Sequence, residues 1–251
     1  MNNNLERLLP KDWKSYKVSH DKDLLKICQD IWERNEDNFT ARCKVDGFVY
    51  RKVANPGLDG ISNEKIQDYF GTRKVMISQA EHHFANPISS KYHLLGDNRV
   101  RGIKKDMMVW EELENHTLDY YISSFWHFDY GLPLNNFSLI VYLSDVDKGM
   151  GGTILSEPPI VPTYNDKTEK TVIFDDDTYN KWTSEEIPQI EVTGSTGSVV
   201  CFNSHRLHRA SLPSCGYRKS ISMWVELPSE EHRANPYVYS QSQPPRTLES
   251  L

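Results

Sequence analysis

The spacing of hydrophobic positions changes along this chain, and the change predicts where helices give way to strands. In residues 21–34 (DKDLLKICQDIWER) the apolar side chains fall near one side of a helix and the charges lie elsewhere. Residues 63–70 form a second helix candidate. Short strands are predicted at 48–50 and 74–78, and the intervening sequence ANPG is typical of a turn.

From about residue 107 the pattern becomes typical of β-strands. Residues 118–129 (LDYYISSFWHFD) are rich in aromatic side chains and predict an extended segment. Residues 137–143 (FSLIVYL) are nearly all apolar, as expected for a central strand that is covered on both faces. Two further strands are predicted at 198–202 and 220–227, so the second half of the chain is expected to be built mainly from strands.

The pattern is interrupted between residues 155 and 189, where the chain carries several prolines and the acidic run 175–177. So long a connection is typical of a lid, a binding loop or an insertion with its own structure, and the alternative is a solvated segment without a role. We interpret the chain as one domain. Residues 1–106 would form a mixed, helical support, 107–227 the core, and 228–251 a polar tail.

Composition narrows the function classes. The net charge of −6 and the pI near 5.9 argue against nucleic acid as a partner, because phosphate binding needs a clustered basic surface. No apolar stretch approaches the roughly 18 residues of a membrane span, and the N-terminus lacks a signal peptide's apolar region. The four cysteines form no C-x-x-C pair and are expected to be free thiols. We therefore expect a cytoplasmic protein, either a monomer or a homodimer.

The first residues that carry chemistry are His127 and Asp129, which are two positions apart. Side chains alternate faces along a strand, so an H-x-D sequence presents an imidazole and a carboxylate on the same side. These groups are two of the three ligands in a facial 2-His-1-carboxylate iron site. Because H-x-D also occurs by chance in many proteins, the pair alone is weak support for a metal site.

A third ligand is expected from residues 197–211 (GSVVCFNSHRLHRAS), where a glycine turn and an apolar strand lead to two histidines. Either His205 or His208 would then lie on a different strand of the same barrel as His127 and Asp129. The remaining histidines, including the adjacent His82 and His83, show no ligand spacing.

Arg218 enters the next predicted strand. Alternation places it on a polar face with Ser220, Ser222 and Trp224. The opposite face is predicted to be apolar and buried: Ile221, Met223 and Val225. A buried guanidinium needs a partner, because an unpaired buried charge costs several kcal/mol. A dicarboxylate ligand would supply that partner through two parallel hydrogen bonds, and Ser220 could add a third.

Together these motifs resemble the iron(II)/2-oxoglutarate-dependent dioxygenase superfamily, and within it the phytanoyl-CoA dioxygenase-like branch. The resemblance rests on the order of H-x-D, the strand GSVVCF followed by LHR, and an arginine ten positions after that histidine. Residues 126–153 (WHFDYGLPLNNFSLIVYLSDVDKGMGGT) match the branch particularly well. The match covers residues 107–227, and the N-terminal third agrees only in general character.

The resemblance implies a mainly β fold, with a double-stranded β-helix (a cupin-like jelly roll) as the core and α-helices on its outside. It implies Fe(II), with 2-oxoglutarate and O2 as cosubstrates. The implied metal ligands are His127, Asp129 and His208. The implied 2-oxoglutarate contacts are Arg218 and Ser220, to which the shared parity with His127 adds Tyr121.

His208 is preferred to His205 as the ligand, because the family places this histidine just before a loop and ten positions before the arginine. His205 is then expected to belong to the surrounding loop. In family members that halogenate, a glycine or alanine replaces the carboxylate ligand. Since Asp129 is present, the resemblance favours hydroxylation or a related oxidation such as desaturation, ring formation or epoxidation.

The substrate is not defined by the sequence. Side chains near the metal motifs are candidate contacts, although each could equally pack in the core: Trp126, Tyr130, Asn203, Arg209 and Trp224. Arg209, beside the expected ligand, could bind an anionic group. We expect a small molecule such as an amino acid or a natural-product intermediate. The alternatives are a hydroxylase of peptidyl or carrier-bound residues, a cupin-type metal isomerase, and a non-catalytic metal-binding jelly-roll module.

Overall fold

Three helices lie in the N-terminal third of the chain. The computed structural model describes residues 3–12, 14–36, 40–45, 48–54, 60–84, 126, 129, 136–160, 163–165, 170–172, 187–211 and 213–227. The helices are α1 (Asn3–Glu6), α2 (Lys22–Asn35) and α3 (Gly60–Phe70). The helices predicted at 21–34 and 63–70 are therefore confirmed. Asp21 is the N-cap of α2, and its carboxylate accepts hydrogen bonds from the amides of Asp23 and Leu24 at 3.2 and 3.0 Å.

Twelve strands lie in the described part of the chain, and every pair of neighbours is antiparallel. They are β1 (Tyr16–His20), β2 (Thr40–Val45), β3 (Phe48–Ala54), β4 (Val75–Phe84), β5 (Asn136–Tyr142), β6 (Thr153–Ser156), β7 (Thr163–Asn165), β8 (Lys170–Val172), β9 (Gln189–Val192), β10 (Ser198–Asn203), β11 (His208–Ala210) and β12 (Tyr217–Glu226). Strands β3, β4, β5, β10 and β12 confirm the five strands predicted in these regions. The other described strands were not predicted: β1, β2, β6, β7, β8, β9 and β11.

Ten of these strands form one large and one small sheet. The large sheet has the order β1-β10-β5-β12-β4-β3-β2, and the small sheet has the order β11-β6-β9. Along the chain, β5 lies in the large sheet, β6 and β9 in the small one, β10 in the large one, β11 in the small one and β12 in the large one. This alternation between two antiparallel sheets is that of a jelly roll, so the predicted fold class is confirmed.

The outer face of the large sheet is apolar and is covered by the helices. Strand residues that alternate along β5, β10 and β12 pack there against Leu24, Ile31 and other residues of α1, α2 and α3. The strand contribution is Leu139, Val141, Val199, Cys201, Ile221, Met223 and Val225. The predicted apolar face of β12 is thus confirmed. Each fully buried large aliphatic side chain stabilises the fold by about 1.5–3 kcal/mol.

The opposite, inner face of the large sheet meets the small sheet and is partly polar. A small apolar cluster joins the two sheets: Tyr142, Val146, Leu155, Val192, Val200 and Phe202. On either side of this cluster the inner positions of β5 and β12 are polar, among them Asn136, Ser138, Arg218 and Ser220. Alternation therefore directs one face of each strand to the helices and reserves the other face for a functional site.

The predicted interruption at 155–189 begins and ends inside the small sheet, since β6 runs to Ser156 and β9 starts at Gln189. Between them β7 and β8 form a two-stranded antiparallel pair. A lid role for this segment stays a prediction.

Most of the strand predicted at 118–129, and the tail from residue 228, fall outside the described residues. No helix in the described ranges is both long and apolar enough to cross a membrane.

Candidate functional site

Asp129 and His208 come together at one end of the inner face. Asp129 Oδ1 lies 3.7 Å from His208 Nε2. This separation is beyond the range of a direct hydrogen bond. Both side chains are largely buried but keep access to solvent, at 19% and 10% exposure respectively. The two residues come from distant parts of the sequence. The amide of Asp129 donates to the Ser204 carbonyl at 3.1 Å, and this hydrogen bond holds Asp129 beside the turn that leads to His208.

The imidazole of His208 is oriented by the turn that precedes it. His208 Nδ1 lies 2.7 Å from the carbonyl oxygen of Arg206, which can only accept, so Nδ1 carries the proton. The lone pair of the neutral ring is then on Nε2, the nitrogen that faces Asp129. Phe202 packs edge-on against the ring, with centroids 5.0 Å apart. This tautomer and orientation are those of a histidine that binds a metal through Nε2.

The Asp129 carboxylate is oriented by a short chain of hydroxyl and amide groups. Ser138 Oγ donates to Asp129 Oδ2 at 3.2 Å and lies 2.9 Å from Ser204 Oγ, which donates to Asn136 Oδ1 at 2.8 Å. Ser138, Ser204 and Asn136 are all buried. Because Oδ2 accepts from Ser138 while Oδ1 faces His208, the two oxygens have different roles. The carboxylate is held for a cation on the Oδ1 side.

Arg206 anchors the turn that carries the orienting carbonyl. Its guanidinium is completely buried and donates to the Ser156 carbonyl, to Glu157 Oε2 at 2.8 Å and to the Lys14 carbonyl at 3.2 Å. Tyr16 stacks on it, with the ring centroid 5.4 Å from Cζ. Burial lowers the pKa of Arg206, and Glu157 opposes that shift. The side chain therefore ties the turn to the N-terminal segment and to β6.

Three of the predicted residues, His127, Tyr121 and Tyr130, lie outside the described part of the chain. Within the described ranges no group of three or more His, Cys, Asp or Glu side chains is placed to hold a metal, and Asp129 and His208 form a pair. His205 lies in the turn before β11, and its amide donates to Asn203 Oδ1 at 2.8 Å. Of the two candidate histidines, the structure brings His208 beside the carboxylate.

Arg218 lies at the other end of the same inner face, and its guanidinium is buried among polar groups. Nη1 donates to the Gly151 carbonyl at 2.5 Å, and Nη2 donates to Glu81 Oε2 at 3.2 Å. The His83 ring also lies 3.2 Å from Nη2. Gly151 has φ +89°, and a Cβ there would lie 2.8 Å from Pro213 Cγ, so glycine is required where this carbonyl turns toward the arginine.

Contrary to the expectation from the sequence, the charge of Arg218 has a partner within the protein, because Glu81 supplies a carboxylate. Two donors at this end nevertheless have no hydrogen-bond partner among the residues that the structure describes. They are Arg218 Nε and Ser220 Oγ, both buried and two positions apart on the inner face of β12. An unsatisfied buried donor costs roughly 1–3 kcal/mol, so a carboxylate that accepts from both would stabilise this end.

Tyr142 closes the back of the arginine end. It is the strand partner of Ser220, and its hydroxyl donates to the Val192 carbonyl at 2.8 Å. The same oxygen accepts from the Thr153 amide at 3.3 Å. Burial raises the pKa of Tyr142, and the nearby charge of Arg218 opposes the shift. The Tyr142 hydroxyl is therefore neutral and already makes two hydrogen bonds within the protein.

The predicted substrate contacts divide between the two faces of the sheets. Trp224 is the strand partner of Ser138 and is half-buried on the inner face, near the Asp129 end. Arg209 alternates with His208 and so lies on the opposite face of the small sheet. Its guanidinium donates to Gln189 Oε1 at 3.0 Å and covers the buried Trp126 ring at 5.3 Å. Asn203 closes a turn through His205.

Several residues of this site were not found from the sequence. Five of them contact a predicted site residue in the structure: Ser138, Ser204, Arg206, Glu81 and His83. Asn136 contacts Ser204. A usable signal was present only for Ser138, a polar residue inside the apolar run 137–143. His82 and His83 are adjacent on β4 and face opposite ways, and His83 is the one that faces inward and contacts Arg218.

No family model and no curated protein matches the chain. Several solved structures are similar to it at low identity. SnoN, described as a non-heme alpha ketoglutarate dependent epimerase from nogalamycin biosynthesis, is 12% identical, with 84% of this chain and 78% of that chain covered and a TM-score of 0.48. AviO1 from Streptomyces viridochromogenes Tue57 is 13% identical, with 91% and 97% covered and a TM-score of 0.43.

EctD from S. alaskensis is 11% identical, with 90% of this chain and 79% of that chain covered and a TM-score of 0.43. Because all three TM-scores are below 0.5, these similarities leave the function to be inferred from the site itself.

Proposed function

We propose that this chain is a non-haem iron(II) enzyme that uses 2-oxoglutarate and O2 to oxidise a C–H bond of a small molecule. One observation carries the proposal. The inner face of a jelly roll bears, at one end, an imidazole nitrogen and a carboxylate oxygen that face each other at 3.7 Å and, at the other end, two buried donors suited to a carboxylate.

The donor set at the first end fits a divalent iron ion. His208 offers Nε2, Asp129 offers Oδ1, and His127 would add a second imidazole because it shares the strand parity of Asp129. One carboxylate and two histidines form the facial triad of non-haem iron oxygenases, which leaves positions open for a cosubstrate and O2. The hydrogen bonds from His208 to Arg206 and from Ser138 to Asp129 hold both described ligands in place.

The second end fits the far carboxylate of 2-oxoglutarate. Ser220 Oγ and Arg218 Nε would each donate one hydrogen bond to it. The Gly151 carbonyl accepts from Arg218 Nη1 and holds the guanidinium in a fixed orientation, and Tyr142 lies beside Ser220 on β5. Iron and 2-oxoglutarate together supply oxidising chemistry, in which the reduction of O2 is coupled to oxidative decarboxylation of the cosubstrate. The protein itself holds the metal ligands and the carboxylate-binding donors at the two ends of the same inner face.

Hydroxylation or a related oxidation is favoured over halogenation, because a carboxylate occupies the position of Asp129 and would fill the site that chloride needs. The half-buried Trp224, next to Ser138 on β12 and β5, is a contact for the substrate near the metal end. We assign supporting roles to Arg209, Trp126 and Asn203. Arg209 contacts the Trp126 ring and Gln189, and Asn203 accepts from the amide of His205 in the turn before β11. These contacts lie away from the inner face.

The experiment that tests the proposal is anaerobic reconstitution with Fe(II), followed by addition of 2-oxoglutarate while the visible spectrum is recorded. Chelation of iron by the keto acid should give a weak visible charge-transfer band. His208→Ala should abolish the band together with iron binding, whereas His205→Ala is the matched control that should keep both. A wild-type protein that binds iron but shows no band with 2-oxoglutarate would favour the metal isomerase or the non-catalytic module instead.

A further inference from the structure

The carbonyl that orients Arg218 belongs to a glycine-rich turn, residues 148–152 (KGMGG), which lies between β5 and β6. Gly149 and Gly151 have φ values of +82° and +89°. Glycine loses more backbone freedom on folding than any other residue, so this glycine turn keeps one conformation only where its neighbours fix it. The Gly151 carbonyl, which accepts from Arg218 Nη1 at 2.5 Å, is therefore placed only as firmly as the turn is held.

The Glu191 side chain on β9 holds the amide side of the glycine turn. Its Oε1 accepts from the Gly152 amide at 3.1 Å and from the Gly149 amide at 3.3 Å. Its Oε2 accepts from the same Gly149 amide at 3.2 Å. Hydrogen bonds to an ionised group are roughly twice as strong as those between neutral groups. Because the two amides lie on either side of Gly151, the carboxylate fixes the chain both before and after the carbonyl that contacts Arg218.

Glycine at position 152 allows β9 to approach the turn closely enough for this contact. A Cβ at Gly152 would lie 2.7 Å from the Val192 carbonyl oxygen and 2.9 Å from Glu191 Cγ. Any other residue would therefore push the strand or the turn away. Glu191 itself pairs with Ile154 in the β6–β9 register and is half-buried.

The carbonyl side of the glycine turn is held by the loop that leads into β12. The Gly149 carbonyl accepts from the amides of Ser214 and Cys215 at 2.8 and 3.2 Å, and the Gly152 carbonyl accepts from the Ser211 amide at 3.1 Å. The turn is thus fixed between the small sheet and the loop before Arg218. Glu191 supplies the hydrogen bonds from the small sheet to its amides.

A guanidinium needs two anchors if its third side is to keep one direction. Glu81 Oε2 accepts from Arg218 Nη2 and the Gly151 carbonyl accepts from Nη1, which leaves Nε beside Ser220 for the cosubstrate carboxylate. If the Gly151 carbonyl moves, the guanidinium is anchored at Nη2 alone and can pivot about that nitrogen. Nε then loses its fixed direction. A change at Glu191 would reach the ligand by this route.

We propose that Glu191 is a positioning residue for the cosubstrate end: through the glycine turn it fixes the Gly151 carbonyl, and through that carbonyl it fixes Arg218 for the far carboxylate of 2-oxoglutarate. This inference rests on the proposed function and adds to it a residue that does not itself contact the cosubstrate. Asp129 and His208 are oriented by other groups at the opposite end of the inner face. Glu191 should therefore affect the far carboxylate and not the iron.

The test compares two keto acids that differ only at the far end. 2-Oxoglutarate and 2-oxopentanoate present the same keto acid group to iron, but only 2-oxoglutarate has a second carboxylate for Arg218 and Ser220. Each is titrated into the anaerobic, Fe(II)-loaded protein by calorimetry. Glu191→Ala should weaken 2-oxoglutarate binding by roughly tenfold, as expected for a group that orients a binding residue from behind. Its affinities for 2-oxopentanoate and for Fe(II) alone should equal those of the wild type.

Two further variants distinguish positioning from a general effect on the fold. Glu191→Gln keeps a neutral accepting oxygen for the turn and serves also if Glu191→Ala does not fold. Since a neutral acceptor contributes about half the free energy of an ionised one, 2-oxoglutarate binding should weaken by about threefold, again without a change for 2-oxopentanoate. Asp147→Ala removes an exposed carboxylate next to the same turn and is the matched control, which should bind both keto acids normally.

The results also separate this inference from the proposed function. If the Glu191 variants bind 2-oxoglutarate as tightly as the wild type, or lose both keto acids equally, the positioning role is wrong and the cosubstrate assignment stands. If the wild type with bound iron does not bind 2-oxoglutarate, the proposed function fails and this inference fails with it.

Discussion

The two ends of the inner face hold their polar groups in different ways. At the metal end, Asp129 and His208 are each oriented by neutral groups, the Ser138 hydroxyl and the Arg206 carbonyl. At the arginine end, Arg218 is held by a charged carboxylate, Glu81, and by His83. At the metal end a carboxylate and an imidazole thus face each other, whereas at the arginine end the guanidinium already has a carboxylate partner within the fold.

This difference explains why the two ends need different kinds of support. Neutral hydrogen bonds can orient a ligand without competing for its charge, which suits a group that must bind a metal. A buried arginine needs a permanent counter-charge for the fold to be stable without a ligand.

The largest expected effect is the loss of the metal end. Asp129→Ala removes the carboxylate ligand and should weaken Fe(II) binding by more than about 100-fold, since even the partners behind metal ligands are typically worth 10–100-fold. Equilibrium dialysis against iron measures the change. Asp147→Ala, an exposed carboxylate before the glycine turn, is the control and should bind iron normally. Equal iron binding by the two variants would remove Asp129 from the site.

Removing the hydroxyl behind the carboxylate should have an intermediate effect. Ser138→Ala leaves Asp129 without the hydrogen bond to Oδ2 and should weaken iron binding by roughly 10–100-fold. Binding is compared by iron titration with that of Ser222→Ala, which changes a serine of the same face that pairs with Ile140. If the two alanine variants behave alike, the serine chain does not orient the carboxylate.

A smaller effect is expected from Ser220→Ala, and it should fall on the arginine end alone. The loss of one donor should weaken 2-oxoglutarate binding by about fivefold, corresponding to roughly 1 kcal/mol for a single hydrogen bond. Iron affinity without the cosubstrate should not change. Separate titrations of iron and 2-oxoglutarate check this, and a parallel loss of both affinities would show that the two ends are not independent.

The smallest effect concerns thiol reactivity outside the site. Burial raises the pKa of the Cys28 and Cys201 thiols, so both stay protonated at pH 8 and should not react with a thiol reagent in the native protein. Cys215 is exposed and should react first. Mass spectrometry after brief labelling distinguishes the three sites. These three thiols are free, as the sequence predicts. The labelling prediction concerns these three cysteines and not Cys43.

The sequence predicted the parts of this protein that depend on local pattern. The helices and the central strands followed from the spacing of apolar residues, and the two faces of β12 followed from alternation. Strand β1 was missed because YKVSH has only one strongly apolar residue. Among the described strands it lies at the sheet edge and pairs only with β10. Its register is set by that neighbour, not by its own composition.

The order of the chemical groups can be read from the amino-acid sequence: an H-x-D pair, a histidine after an apolar strand and an arginine at the start of the next strand. The neighbours that contact these groups become known only from the folded arrangement of the strands. Ser138 reaches Asp129, and Glu81 reaches Arg218 across 137 positions of sequence, because antiparallel pairing brings β4 beside β12. Such contacts depend on strand register, which is a property of the assembled sheet and not of any segment alone.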